Sequence, residues 1–220
     1  MSIVQSNSGN AVNATSISVA YTANVASGNI LVAAATQNGN TPLVISDTGS
    51  NSWIRDVSST NPGNSSGSEN TAIWHVTSSK SGASTITVSG SIATADWQLG
   101  VFEINGYSTT ISVGSGGTTS ANPNVPNISF NSGAFLVAIL AEGGTSYTPP
   151  TGFTTISGGA NGAIKIIEYA NTVASPSGFS GTLGVSTNWA KVAASFDVLV
   201  AAVRFFESGP KRQYRRGFRR

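Results

Sequence analysis

The sequence predicts an all-β fold, a β-sandwich or jelly roll with two related units in tandem, followed by a basic C-terminal tail. Three observations support this prediction. Only 9% of the 220 residues are charged and 25 are glycine, a composition that favours strands and polar turns over helices. Short apolar or alternating segments recur with Gly, Asn, Ser or Pro between them, as in sandwich folds. Finally, a segment of the first half recurs in the second.

The first half contains seven predicted strands. In 16–22 (SISVAYT), Ile17, Val19 and Tyr21 share one face, and the residues between them take the other. This alternation indicates a strand with one buried face. The other six segments are 30–36 (ILVAAAT), 43–46 (LVIS), 52–57 (SWIRDV), 71–77 (TAIWHVT), 84–90 (STITVSG) and 97–104 (WQLGVFEI). No window of comparable length has the period of an amphipathic helix.

The second half repeats the first. Segment 27–39 (SGNILVAAATQNG) matches segment 132–144 (SGAFLVAILAEGG) at a constant offset of 105 residues. Further matches, at an offset of about 92, pair Asn70, Ala72, Ile73 and Trp97 with Asn161, Ala163, Ile164 and Trp189. We therefore predict sandwich units at 1–108 and 109–200, joined by the Gly/Ser/Pro-rich segment 114–127. Separate cores and one shared core are both compatible with this pattern.

Charge is distributed unevenly along the chain. Residues 1–200 contain four basic and eight acidic side chains, a net charge of −4, whereas residues 201–220 contain seven basic and one acidic, a net charge of +6. The pI of about 9.1 therefore derives from the tail. The absence of cysteine excludes disulfides and thiolate metal sites.

Targeting segments are not evident. The first residues, MSIVQSNSGN, have neither the basic nor the apolar region of a secretory signal, so we expect no export signal in this chain. No apolar run reaches the roughly 18 residues that span a bilayer, and we expect no membrane partner.

Residues 43–54 (LVISDTGSNSWI) contain the Asp-Thr-Gly-Ser sequence in which pepsin-like proteases place a catalytic aspartate. Such enzymes need two aspartates that share a proton, and the sequence has no second Asp-Thr/Ser-Gly. The matching segment of the second half, 148–156 (TPPTGFTTI), has a turn and no acid. We therefore expect a structural hairpin, in which Asp47 accepts hydrogen bonds from turn amides, Gly49 has a positive φ and Trp53 enters the core.

The same hairpin carries a family resemblance. Together with SGNILVAAAT before it and NTAIWHVTSSKSGASTITVSGS after it, VISDTGSNSW resembles a widespread family of Ser/Thr/Gly-rich β-sandwich modules. These modules occur in tailed-phage structural proteins and in bacterial surface or secreted proteins. The resemblance covers nearly all of 3–198, including the closing WAKVAASFDV. It implies a sandwich with a role in decoration, fibre formation or carbohydrate contact, and it implies no catalytic residues.

Three further patterns have a catalytic and a structural interpretation. Residues 63–67 (GNSSG) fit the G-x-S-x-G nucleophile motif, but they stand in a polar loop without its strand-to-helix context. His75, the only histidine, is expected on the surface, on the face opposite its neighbours in the strand. Glu103 and Asp197 end matched strands of the two units, and we expect them to lie too far apart for a glycosidase pair. We predict no catalytic residue.

Binding sites are expected in loops rather than on strands. Trp53, Trp74, Trp97 and Trp189 stand among apolar neighbours and are predicted as core, with sugar stacking as the alternative. The polar loops 57–69 and 114–124 are better candidates for contacts. One histidine and no cysteine argue against zinc. An oxygen-only calcium site stays open, although no EF-hand-type run occurs, and we predict no metal and no cofactor.

The tail, 204–220 (RFFESGPKRQYRRGFRR), interleaves arginines with aromatics, a pattern that suits an acidic protein surface or nucleic acid. A solvated tail that only improves solubility is the alternative. The predicted assembly-binding residues are Arg204, Phe205, Phe206, Lys211, Arg212, Tyr214, Arg215, Arg216, Phe218, Arg219 and Arg220.

These features lead to one functional hypothesis and two alternatives. The leading hypothesis is a non-enzymatic virion protein of a tailed phage, a capsid decoration protein, head fibre or tail appendage. Its expected partners are other virion proteins and further copies of the chain. One alternative is an extracellular or cell-surface bacterial module for adhesion or carbohydrate binding, with a cell-surface glycan as partner. The other is a capsid protein whose tail contacts nucleic acid.

Overall fold

The computed structural model describes residues 1–38, 41–61, 69–92, 95–125, 128–142, 146–158, 164–170 and 179–199. These residues form an all-β structure without a helix. Its strands are β1 (Ser2–Ala14), β2 (Ser16–Ala20), β3 (Ile30–Asn38), β4 (Val44–Asp47), β5 (Ile54–Asn61), β6 (Glu69–Val76), β7 (Thr85–Ser89), β8 (Ala95–Asn105), β9 (Tyr107–Ser120), β10 (Phe135–Glu142), β11 (Tyr147–Thr148), β12 (Thr154–Gly158), β13 (Ile164–Ala170), β14 (Thr182–Leu183) and β15 (Thr187–Val198).

The seven strands predicted in the first half are confirmed as β2 to β8. In β2, Ile17 and Val19 are buried whereas Ser18 and Ala20 are exposed, as the alternation predicts. The prediction missed β1, whose sequence SIVQSNSGNAVNA is largely polar. β1 lies at the edge of a sheet and pairs only with β8, so its side chains can remain partly exposed.

Two five-stranded antiparallel sheets form the body. The first has the order β1-β8-β3-β6-β5 and the second the order β9-β15-β10-β13-β12. A three-stranded sheet, β2-β7-β4, and the short pair β11-β14 complete the described structure.

The first five-stranded sheet is buried on both faces. One face packs against the three-stranded sheet, where Ile17, Ile86 and Trp97 belong to one apolar cluster. The other face packs against the second five-stranded sheet, and this cluster joins Phe102 of the first half to Phe135 of the second. The body is therefore a β-sandwich with stacked layers, and its two halves share a core.

The predicted linker 114–127 is wrong for its first seven residues, because β9 runs through Ser120. The Gly-rich sequence of β9 suits its place beside a large side chain. A Cβ at Gly116 would lie 2.3 Å from the Asn124 carbonyl oxygen and 3.2 Å from the Trp189 ring. The small residues thus reflect close packing rather than a flexible connection.

The strand registers agree with the offset of 105 residues between β3 and β10 and with the offset of 92 between Trp97 and Trp189. Gln37 pairs with Trp97 in the first sheet, and Glu142 pairs with Trp189 in the second. The match of Ile73 to Ile164 is wrong. Ile73 pairs with Ala34, whose counterpart at the offset of 105 is Ile139, and Ile139 pairs with Ile167 rather than with Ile164. The division into units at 1–108 and 109–200 stays a prediction.

Candidate functional site

The Asp47 hairpin is a hydrogen-bonded turn. Asp47 Oδ1 accepts from the Asn51 amide at 3.0 Å, and its Oδ2 accepts from Asn51 Nδ2 at 2.7 Å and from the Trp53 indole nitrogen at 3.0 Å. None of the contacts described for Asp47 involves a second carboxyl group. The prediction that Asp47 accepts a hydrogen bond from a turn amide is confirmed.

Two details of the predicted turn are wrong. Ser50, with φ of 53°, has the left-handed conformation that was expected of Gly49. A Cβ at Gly49 would lie 2.9 Å from Asn51 Nδ2, so a side chain there would displace the Asn51 amide that donates to Asp47. Trp53 does not enter the core fully, since it remains partly exposed where the turn meets β5.

A cleft of about 500 Å³ lies beside this hairpin, between β4 and β5. Trp74 is buried in its wall, and the Arg55 guanidinium lies over the Trp74 ring at 5.4 Å from the ring centroid. Arg55 Nη2 also donates to the Leu43 carbonyl oxygen. The remaining lining residues are Val44, Ile45, Ser46, Asp47, Ser50, Asn51 and Trp53. The cleft therefore combines an accessible indole, a cation and several small polar groups.

The burial predicted for Trp74, Trp97 and Trp189 is confirmed, with exposures of 2%, 1% and 3%. Trp53 is the exception, and the Trp53 side chain lines the cleft. Sequence reasoning did not predict Arg55 as a site residue. The signal that could have found it is its position two residues after Trp53 on the returning strand, which places both side chains on one face.

His75 is buried, so its predicted surface position is wrong. Its Nδ1 lies 2.7 Å from Asp56 Oδ1, and the exposures of the two side chains are 5% and 1%. Asp56 is the extra residue of a β-bulge between Arg55 and Val57, which directs its carboxyl group to the histidine. Burial raises the pKa of Asp56, while the hydrogen bond and the charge of His75 act in the opposite direction.

The histidine is covered because the second five-stranded sheet packs on that face. The His75 ring makes an edge contact with Phe196, at a centroid distance of 5.9 Å. Period-2 alternation correctly assigned His75 to the face of β6 opposite Trp74 and Val76, but it could not show that this face is also buried. The pair has no described third group that completes a nucleophile triad.

Glu103 and Asp197 have separate structural partners. Glu103 is fully buried and accepts from Gln5 Nε2 at 2.5 Å, the Ala26 amide at 2.8 Å and Asn29 Nδ2 at 2.6 Å. Asp197 accepts two bonds of 3.0 Å from the amide and side chain of Asn131.

Their predicted equivalence is also wrong. Glu103 pairs with Leu31, whose counterpart at the offset of 105 is Leu136. Leu136 pairs with Ser195, so Ser195 rather than Asp197 is the counterpart of Glu103. The described contacts give the two acids no common partner.

Several predicted sites lie outside the described residues. These include the GNSSG motif at 63–67 and the whole tail at 204–220, with every predicted assembly-binding residue. The two polar loops are shorter than predicted, because residues 57–61 belong to β5 and residues 114–120 to β9.

Within the described ranges, no group of three or more His, Asp or Glu side chains is placed to hold a metal ion. The same residues contain no helix long and apolar enough to cross a membrane. Comparisons with protein-family models, with curated proteins and with solved structures found no match to this chain.

Proposed function

We propose that the protein is a non-enzymatic structural component of a tailed-phage virion: a capsid decoration protein, head fibre or tail appendage. It docks through its C-terminal tail and presents its polar loops outward. The stacked β-sheets form a rigid body that such an exposed component requires.

The observation that carries this proposal is the separation of charge between body and tail. Residues 1–200 have a net charge of −4, and the last twenty residues have a net charge of +6 and include four aromatics. The described body ends at Leu199, whose side chain is 60% exposed and whose amide donates to the Gly106 carbonyl oxygen at 3.0 Å. Leu199, the last described residue, therefore lies at the surface of the body.

The acidic side chains of the body support a structural role. Each acid whose side chain is described accepts a hydrogen bond from a neighbouring group of the fold; these acids are Asp47, Asp56, Asp96, Glu103 and Asp197. A carboxylate that is held in this way stabilises local structure. The five acids whose side chains are described thus have partners within the fold, which supports the proposal of a display protein.

Quantitative mass spectrometry of gradient-purified phage particles tests this proposal. The sample comes from a culture that expresses the chain together with the complete phage, and a major capsid protein and an abundant cytoplasmic protein serve as positive and negative controls. We expect the protein to co-sediment with the particles at a fixed ratio to the capsid protein. Recovery in the cell envelope or the soluble fraction, with particles that lack it, would contradict the proposal.

A further inference from the structure

The cleft between β4 and β5 has the composition of a binding site, and we propose that it binds a saccharide that carries a carboxylate group. Its volume of about 500 Å³ lies within the range of small-ligand pockets. This inference goes beyond the virion role and is independent of it, since the cleft belongs entirely to the described body.

Trp53 supplies the apolar surface for a sugar ring. Its indole nitrogen is held by Asp47 at 3.0 Å, so the ring is positioned before a ligand arrives. The side chain is partly exposed and lines the cleft. A tryptophan with its N–H bonded to the protein offers its ring to the apolar C–H face of a sugar.

Arg55 supplies the group that selects a carboxylate. Its guanidinium is held over the Trp74 ring at 5.4 Å and donates to the Leu43 carbonyl oxygen. The residue is exposed, and no described carboxylate forms an ion pair with it. A guanidinium has five N–H donors in one plane, so donors of Arg55 remain available for hydrogen bonds to a carboxylate.

The acid of the cleft does not compete with a ligand for Arg55 in the described contacts. Asp47 is the only acid that lines the cleft, and three donors already satisfy its oxygens. Lys80 reinforces the turn from outside, where its Nζ donates to the Ser50 carbonyl oxygen at 2.6 Å. Lys80 does not line the cleft, so the charged lining residues are Arg55 and Asp47, and Arg55 is the one with donors still available to a ligand. A neutral sugar would leave the remaining N–H donors of Arg55 without an anionic partner.

An extended acidic peptide is the competing occupant, since β4 is an edge strand with Val44 exposed beside the cleft. The saccharide is favoured because β4 has only four residues, which gives a peptide few backbone bonds. The lining also has a single ring at its surface rather than alternating side-chain pockets.

Isothermal titration of the intact protein tests the inference with four defined probes. These are trigalacturonate, its fully methyl-esterified form, an α2,8-linked sialic acid dimer and a tetra-aspartate peptide. We expect at least one of the two acidic saccharides to bind, and the ester of trigalacturonate to bind about tenfold or more weakly than the free acid, because the ester cannot form a charge-assisted pair.

Variants locate the site. Arg55→Gln should weaken binding of the acidic saccharide about tenfold or more, whereas Lys80→Gln, the matched removal of a nearby charge, should change it less than about threefold. Trp53→Ala should abolish binding, and Trp53→Phe, which keeps a ring, should retain part of it. Circular dichroism and thermal unfolding establish that each variant folds. Since Arg55 is exposed, Arg55→Gln remains a valid test if Trp53→Ala does not fold.

Three results would overturn the inference. They are the absence of binding to both acidic saccharides up to about 10 mM, unchanged binding by Arg55→Gln, and a preference for the peptide over both sugars. Any of these leaves the virion proposal standing, because that proposal depends on the tail and on particle composition.

Discussion

The indole nitrogen of Trp53 donates a 3.0 Å hydrogen bond to Asp47 Oδ2, so the aspartate of the Asp-Thr-Gly-Ser sequence positions a tryptophan ring. Two further donors from Asn51 complete its contacts. The motif in this chain is explained by the turn and the ring that it positions.

Substitution of Asp47 by alanine should destabilise the fold without affecting any proteolysis. We expect Asp47→Ala to lower the free energy of unfolding by about 0.5 to 2 kcal/mol, because it removes the acceptor of three hydrogen bonds. Urea unfolding measures this change. Ser46→Ala, at an exposed neighbouring position, is the control and should stay within about 0.5 kcal/mol. Pepstatin-sensitive proteolysis that disappears in Asp47→Ala would refute the structural interpretation.

Glu103 should behave as a buried structural acceptor. Glu103→Gln replaces one carboxylate oxygen with an NH2 group, which then faces either the Gln5 donor or the Ala26 and Asn29 donors, and it should cost about 1.5 to 3 kcal/mol of folding free energy. Asp197→Asn is the matched change at a partly exposed carboxylate and should cost less than about 1 kcal/mol. Chemical denaturation of both variants provides the comparison. Equal losses in the two, or loss of a glycosidase activity, would show that the assignment is wrong.

The buried Asp56 and His75 pair makes a prediction about pH. Because burial raises the pKa of Asp56 above its ordinary value of 3.8, the folded state binds this proton more tightly than the unfolded chain. The contribution of Asp56 to stability is therefore greatest below that value and decreases as pH rises through the raised pKa. Asp56→Asn removes this titration while keeping a similar shape.

We expect the unfolding free energy of the protein, relative to that of Asp56→Asn, to fall as pH rises above 3.8, the ordinary pKa of an aspartate. Urea unfolding of both proteins at matched pH values measures the difference. A difference that is constant or that increases with pH would contradict the raised pKa.

The shared core predicts that the two halves unfold together. Phe135, fully buried, lies 5.5 Å from the Phe102 ring and 6.0 Å from the Phe196 ring, so it joins the first half to the second. Phe135→Ala should cost about 3 to 5 kcal/mol, and Val185→Ala, at a position that is 60% exposed, should cost less than about 0.5 kcal/mol. Calorimetry should give one transition. Two separate transitions, with only one shifted by Phe135→Ala, would show independent units.

Periodicity predicted the strands but could not predict the number of layers. The alternation of Ile17 and Val19 identifies a buried face because the other face of β2 is exposed. His75 stands in an equally regular strand, yet its face is covered by residues more than a hundred positions away, including Phe196. The sequence feature that indicates a third layer is the continuous apolar run of β3, because such a run suits a strand that is packed on both faces.

The candidate site was predicted only in part. The turn at Asp47 could be recognised because Asp, Gly and Asn favour tight turns. The cleft could not, because it depends on Trp74 reaching it from β6 and on Arg55 stacking there. The β-bulge that directs Asp56 inward has no clear sequence signature, so the partner of His75 could not be predicted either.

The most direct test of the central claim is the occupancy of a truncated protein in phage particles. A chain that ends at Val203 lacks the predicted docking residues and keeps all described strands. Full-length and truncated proteins, with equal thermal unfolding as the check on folding, are supplied to particles that lack the native copy, and mass spectrometry measures their occupancy. The account predicts that the full-length protein is incorporated and that the truncated protein is absent from the particles. Unchanged occupancy of the truncated protein at moderate salt would contradict it.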